Sequence, residues 1–208
     1  MKKLVAAMLC LALSLMCAVG LANEKIDPSE LQIGVIMIGD TSDMGFNYSH
    51  LVGLQEMQKN LGIEDHQITI LENVADDSTC ADAISELISN GCNVIIGNSF
   101  GFQTYMYEAA AQHPEVLFCH YSGLLQNDTN FCRFNARNYQ TRYLQGIAAA
   151  MRSESGKIGF VGAFKNAEVN VSLNAYALGA QSVNPDVTVY VKYTNSWYDP
   201  DGETAAAN

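Results

Sequence analysis

"LQIGVIMIGDTSDMGFNYSH", residues 31–50, sets an unbroken apolar run against a short polar loop and the opening of a helix. An apolar run without polar alternation describes a strand buried on both faces. A strand passing through a tight loop into a helix is how a nucleotide-binding α/β fold begins, but phosphate is held there by glycines spaced G-x-G-x-x-G. Residues 39–50 lack that spacing. They offer a carboxylate, a ring and an amide instead: Asp43, Phe46 and Asn47.

The same alternation continues along the chain. Leu51, Leu54, Met57 and Leu61 mark a helix face, "HQITILENV" a second strand, and Ala81, Ile84, Leu87 and Ile88 the next helix, ended by Asn90-Gly91. "NVIIGNS" is a third strand, "FQTYMYEAAAQH" a helix stopped by Pro114, and "VLFCHYS" a fourth strand. "NFCRFNAR" follows as a fifth strand with no helix before it. Leu144, Ile147, Ala148 and Met151 then predict a helix, "KIGFVGA" a strand, and Val169, Leu173, Tyr176, Ala180 and Val183 one face of a long helix. "DVTVYVKYT" is a last strand, and "NSWYDPDGETAAAN" a loop entering a helix. Alternating strands and helices predict an α/β fold built on parallel sheet. Residues 24–137 supply one complete lobe. Residues 138–208 supply only part of a second, so the chain reads as a fragment of a longer bilobed protein.

Lys2 and Lys3 followed by "LVAAMLCLALSLMCAVGLA" form a signal peptide, residues 1–22, with cleavage expected after Ala22. An uncleaved anchor and lipid attachment at Cys17 are the alternatives. All three imply export, to the periplasm or the outer face of the cell membrane. The net charge is −11 and falls to −13 without Lys2 and Lys3, so nucleic acid is not an expected partner. Cys80, Cys92, Cys119 and Cys132 show no metal-ligand spacing, and no metal or cofactor is expected. Cys119 and Cys132 fall in consecutive predicted strands; they pair as a disulfide if those strands are neighbours, or stay free thiols.

In open α/β sheets ligands bind beyond the carboxyl ends of the strands. The loops there contain Asp43, Phe46 and Asn47, then Asn98, Ser99, Phe100 and Phe102, then Ser122. The second part adds Phe164, Glu168, Trp197 and Asp199. No nucleophile stands beside a base, so catalysis is not expected. Rings with amides, hydroxyls and carboxylates suit a flat neutral ligand rich in hydrogen-bonding groups. Asp43 reads equally as a helix cap, and any one phenylalanine as an ordinary core ring.

"IGDTSDMGFNYSH", "GNSFGF", "FCHYSG", "ARNYQTRYLQGIAAA", "IGFVGAF" and "LGAQSVNPDVTVYVKYTNSWYDP" resemble, in order and spacing, the basic membrane protein family. These are extracytoplasmic substrate-binding proteins of ABC importers for purine nucleosides and bases. The resemblance implies two Rossmann-like lobes of the type I periplasmic binding protein fold. It further implies a purine in the cleft, a permease partner, and a monomer. Asp43, Phe46, Asn47, the "NSFGF" loop and Phe164 match family binding positions, and Trp197 matches the base-binding branch. That branch usually has tryptophan at Phe46 and threonine at Asn47, whereas Phe46-Asn47 is more like the nucleoside-binding branch. A sugar or autoinducer ligand, or a sensory domain, are the alternative readings.

Overall fold

The computed structural model describes residues 26–208; the expected signal peptide and Cys17 lie outside the described residues. Among the described residues no helix is long and apolar enough to cross a membrane. The apolar runs form β1 (Ile33–Ile36), β2 (Ile68–Leu71), β3 (Val94–Gly97), β4 (Leu117–Tyr121) and β5 (Phe131–Phe134), in the sheet order β2-β1-β3-β4-β5. Every pair in that sheet is parallel. β1 is shorter than its apolar run. After Ile36 the chain leaves the ladder, and the N–H groups of Met37 and Ile38 pass to the Leu71 carbonyl and the Asn98 side chain.

Helices α1 (Phe46–Leu61), α2 (Ser78–Ser89) and α3 (Gln103–Gln112) cover both faces of this sheet. Ile33, Val35 and Met37 pack with Leu54 of α1 on one side. Ile36, Ile95 and Phe118 pack with Ile84 and Leu87 of α2 and Met106 of α3 on the other. On α2 the buried positions are Cys80, Ala83, Ile84 and Leu87, and Ala81 turns outward.

The link from β4 to β5, residues 122–130, is short for a parallel crossover and contains no helix. Side chains organise it. Asn127 Oδ1 accepts from the N–H groups of Thr129, Asn130 and Phe131. The Asn130 amide donates at 2.9 Å to the carbonyls of Ala110, His113 and Val116, serving the open end of α3. β4 and β5 place Cys119 opposite Cys132 with sulfurs 3.4 Å apart, each a free thiol. Burial first, and then Cys132, push the Cys119 thiol up to about 12.

The second lobe runs α4 (Asn138–Arg152), β6 (Lys157–Gly162), α5 (Ala167–Val183), β7 (Thr188–Tyr193) and α6 (Pro200–Ala207). β6 and β7 pair in parallel as a separate sheet. Its core is Ala150, Ile158, Tyr176, Ala180 and Val187. α4 and α5 touch backbone to backbone: a Cβ on Gly146 would overlap the Tyr176 carbonyl, and one on Gly179 the Tyr143 carbonyl. This contact overrides the apolar stripe expected on α4. Leu144 and Met151 are 64% and 75% exposed, and the buried positions are Gly146 and Ala150.

Gly146→Ala is therefore expected to destabilise the protein by about 1–3 kcal/mol through overpacking. Gly159→Ala, whose new methyl meets nothing within 4 Å, should stay within ~0.5 kcal/mol. Urea unfolding followed by circular dichroism compares the two; equal midpoints would contradict the helix contact.

Candidate functional site

The loops leaving β1, β2 and β3 meet those leaving β6 and β7 around a cleft of about 940 Å³. That volume is typical of small-molecule sites. Phe46, Phe100, Phe160, Phe164, Trp197 and Tyr198 supply its aromatic lining. Among the described lining residues the carboxylates are Asp40, Asp43, Asp76 and Glu168, against one cation, Arg142. The cleft therefore favours ligands that donate hydrogen bonds and carry no negative charge.

Its first-lobe wall is built on a chain of polar side chains. Asp43 precedes α1, and its Oδ1 accepts from the N–H groups of Gly45 and Tyr48 at 2.9 and 3.0 Å. Its Oδ2 accepts from the Asn47 backbone and amide at 2.9 and 3.0 Å. Burial pushes the Asp43 carboxyl up, but these bonds together outweigh it and hold the group below the usual carboxylate range. Asp43 is thus the cap of α1 as well as part of the lining. Asn47 Oδ1 in turn accepts from Asn98 Nδ2 at 2.9 Å and from the Gly39 N–H at 3.4 Å. Asn98 Oδ1 takes the Ile38 N–H at 3.0 Å. Ser99 donates its hydroxyl to Asp76 Oδ2 at 3.0 Å, and its carbonyl accepts from His120 Nε2 at 2.7 Å. Buried, with Asn47 and Asn98 bonded to each other and Ser99 to Asp76 and His120, these three residues set the loops in place.

The rings stand differently. Phe46 is 41% exposed and is held edge-on by His50 and Tyr121 at centroid distances of 4.7 and 5.7 Å. In the second lobe Phe164 and Trp197 meet edge to face at 5.0 Å. Phe100 is half-buried in the lining. Two expectations are corrected. Phe102 is fully buried in the first-lobe core, because the turn at Phe100–Phe102 rotates its ring beneath the sheet end rather than into the cleft. Asp199 does not line the cleft; its carboxylate accepts from the Gly202 N–H and caps α6.

Ser122 opens onto a smaller cavity of about 180 Å³ beside the cleft, shared with Phe100 and Glu168. Its hydroxyl donates to Glu168 Oε2 at 3.3 Å, joining the two lobes. Burial pushes the Glu168 carboxyl up against that bond, and the charge of Asp76 adds to the rise. Asp76 is a further cleft residue. It follows β2, and the carboxyl-end rule brings Asn73, Ala75 and Asp76 to the cleft directly.

The profile of the Bmp family, described as ABC transporter substrate-binding protein PnrA-like, matches residues 30–208. The chain belongs to this family. It is 38% identical over 186 residues to a purine-binding protein of Brucella abortus, covering 89% of this chain and 51% of that protein. It is 36% identical over 174 residues to a putative ABC transporter glucose-binding protein of Haloferax volcanii, covering 83% of this chain and 43% of that one. The chain thus spans about half the length of these curated relatives. Among solved structures it resembles an ABC transporter solute-binding protein from Aeropyrum pernix, with a TM-score of 0.71, 19% identity, and coverage of 83% of this chain and 50% of that one. The fold is that of the type I periplasmic binding proteins, and the family is one of binding proteins rather than enzymes.

Since its folded-state pKa is depressed, Asp43 contributes stability that is present above the ordinary carboxylate range and lost as pH falls through the lower value. Asp43→Ala should cost about 0.5–2 kcal/mol at neutral pH, as for other lost caps. The gap from the parent protein should narrow below about pH 4. Urea titrations at both pH values test this; a gap that persists in acid would remove the carboxylate from the cap.

Proposed function

We propose that this chain is the ligand-capturing part of an extracytoplasmic substrate-binding protein, which delivers a purine nucleoside or purine base to an ABC importer permease. The observation that carries this reading is the pairing of aromatic walls from two lobes, Phe46 on one side and Phe164 with Trp197 on the other, around an acceptor-rich cleft. A purine offers two flat faces and several N–H donors, and stacking a base on an aromatic ring is worth about 1–3 kcal/mol. Asp40 and Glu168 supply acceptors along the edges, and the scarcity of cations disfavours nucleotides, which carry phosphate. The purine-binding name of the Brucella relative supports the same ligand class. A monomer that closes by hinge motion and docks on a permease completes the proposal.

Export is supported by the apolar amino-terminal stretch behind Lys2 and Lys3. A sugar is the second reading, favoured by the glucose-binding name of the Haloferax relative and by the ease with which rings stack on pyranose faces.

Calorimetric titration with adenosine, guanosine, adenine and glucose separates the two. We expect saturable heat with a purine, weakened roughly 5- to 100-fold by Trp197→Ala. Tight glucose binding with no heat from any purine would overturn the purine assignment.

A further inference from the structure

Asp76 makes a hydrogen bond that joins the two lobes. It sits in the loop after β2, and its Oδ2 accepts from two donors. One is the Ser99 hydroxyl of its own lobe, at 3.0 Å. The other is the indole N–H of Trp197, in the loop between β7 and α6, at 2.9 Å and 121 residues along the chain. Asp76 Oδ1 is sealed from solvent with no hydrogen-bond partner. Gly101 makes room for this carboxylate, since a Cβ there would overlap it.

We propose that Asp76 is a positioning residue: it latches the second lobe to the first through Trp197 and thereby fixes the Trp197–Phe164 wall of the cleft. A hydrogen bond to a carboxylate is roughly twice as strong as one between neutral partners, and more so away from water. A carboxylate with one oxygen already unpartnered loses heavily if a second donor departs. Separation of the lobes would remove the indole donor and leave Ser99 alone on Oδ2. Two other side-chain bonds join the lobes among the described residues, Ser122 to Glu168 at 3.3 Å and Asn138 to the Tyr121 hydroxyl at 2.8 Å, but neither holds a ring of the second-lobe wall. Trp197 packs edge to face on Phe164, so anchoring the indole also sets the second ring. The latch makes closure and the shape of one aromatic wall a single event. It rests on the capture reading only where ligand affinity is the readout.

The test is spectroscopic and begins without ligand. Trp197 is the sole tryptophan of the 208-residue sequence, and Trp197→Phe defines its signal by difference. In Asp76→Ala, Trp197 emission should shift to longer wavelength and acrylamide quenching should rise. Should that variant fail to fold, indole N–H exchange in the unaltered protein decides instead: slow, protected exchange supports the latch and free exchange overturns it. With a purine added, Asp76→Ala and Trp197→Phe should each weaken binding roughly tenfold, and the double variant should lose little more than either alone. Identical emission and quenching in Asp76→Ala, with only a lower melting temperature, would reduce Asp76 to a first-lobe structural residue and overturn the proposal. Exposure of Trp197 in Asp76→Ala, together with no purine binding by the unaltered protein, would uphold the latch and reject the purine.

Discussion

The N–H groups of Ile38, Gly39, Gly45, Asn47 and Tyr48 lie where β1 has ended or α1 has yet to close its first turn, so neither ladder nor helix supplies them with acceptors. One carboxylate and two amides do. Asp43 takes the helix end, Asn47 takes Gly39, and Asn98 takes Ile38 while bonding to Asn47. Leaving a buried N–H such as that of Asn47 unpaired costs about 1–3 kcal/mol, so this chain of bonds holds the β1 and β3 loops together. The cleft-facing surface of the first lobe, Phe46 included, stands on it.

The second wall has a different basis. A two-stranded sheet supplies few apolar contacts, and α4 and α5 compensate by meeting at Gly146 and Gly179. That contact orients α5, whose first turn carries Glu168, and with it the end of β6 that presents Phe164. Trp197 is then fixed from outside its own lobe, by Asp76. One wall is therefore preorganised by buried polar bonds, whereas the other takes its final form against the first. Such an arrangement suits a protein that must hold a ligand and then release it, because loss of the interlobe bonds loosens only one wall.

Much of the fold was legible in the residues themselves. Each strand fell within a stretch whose sequence predicts a strand, and the order of strands and helices implied parallel sheet. The face of α4 was not legible, since periodicity weighs large apolar residues and cannot see that a glycine admits a neighbouring backbone. Positions also mattered more than roles at the site. The carboxyl-end rule led to the loops that line the cleft, but residue type could not distinguish a side chain spent on its neighbours, such as Asn98, from one exposed in the cleft, such as Phe46. Phe100 and Phe102, two positions apart, separated into lining and core because the turn between them is helical rather than extended. Asp76 follows from the same rule applied to β2.

In the proposed cleft one ligand touches aromatic rings from both lobes at once. Nuclear Overhauser contacts between the ring protons of a bound purine and the protein read this out. A single bound purine is expected to show contacts to Phe46 of the first lobe and to Phe164 or Trp197 of the second. Contacts confined to one lobe, or to residues outside the cleft, would contradict it.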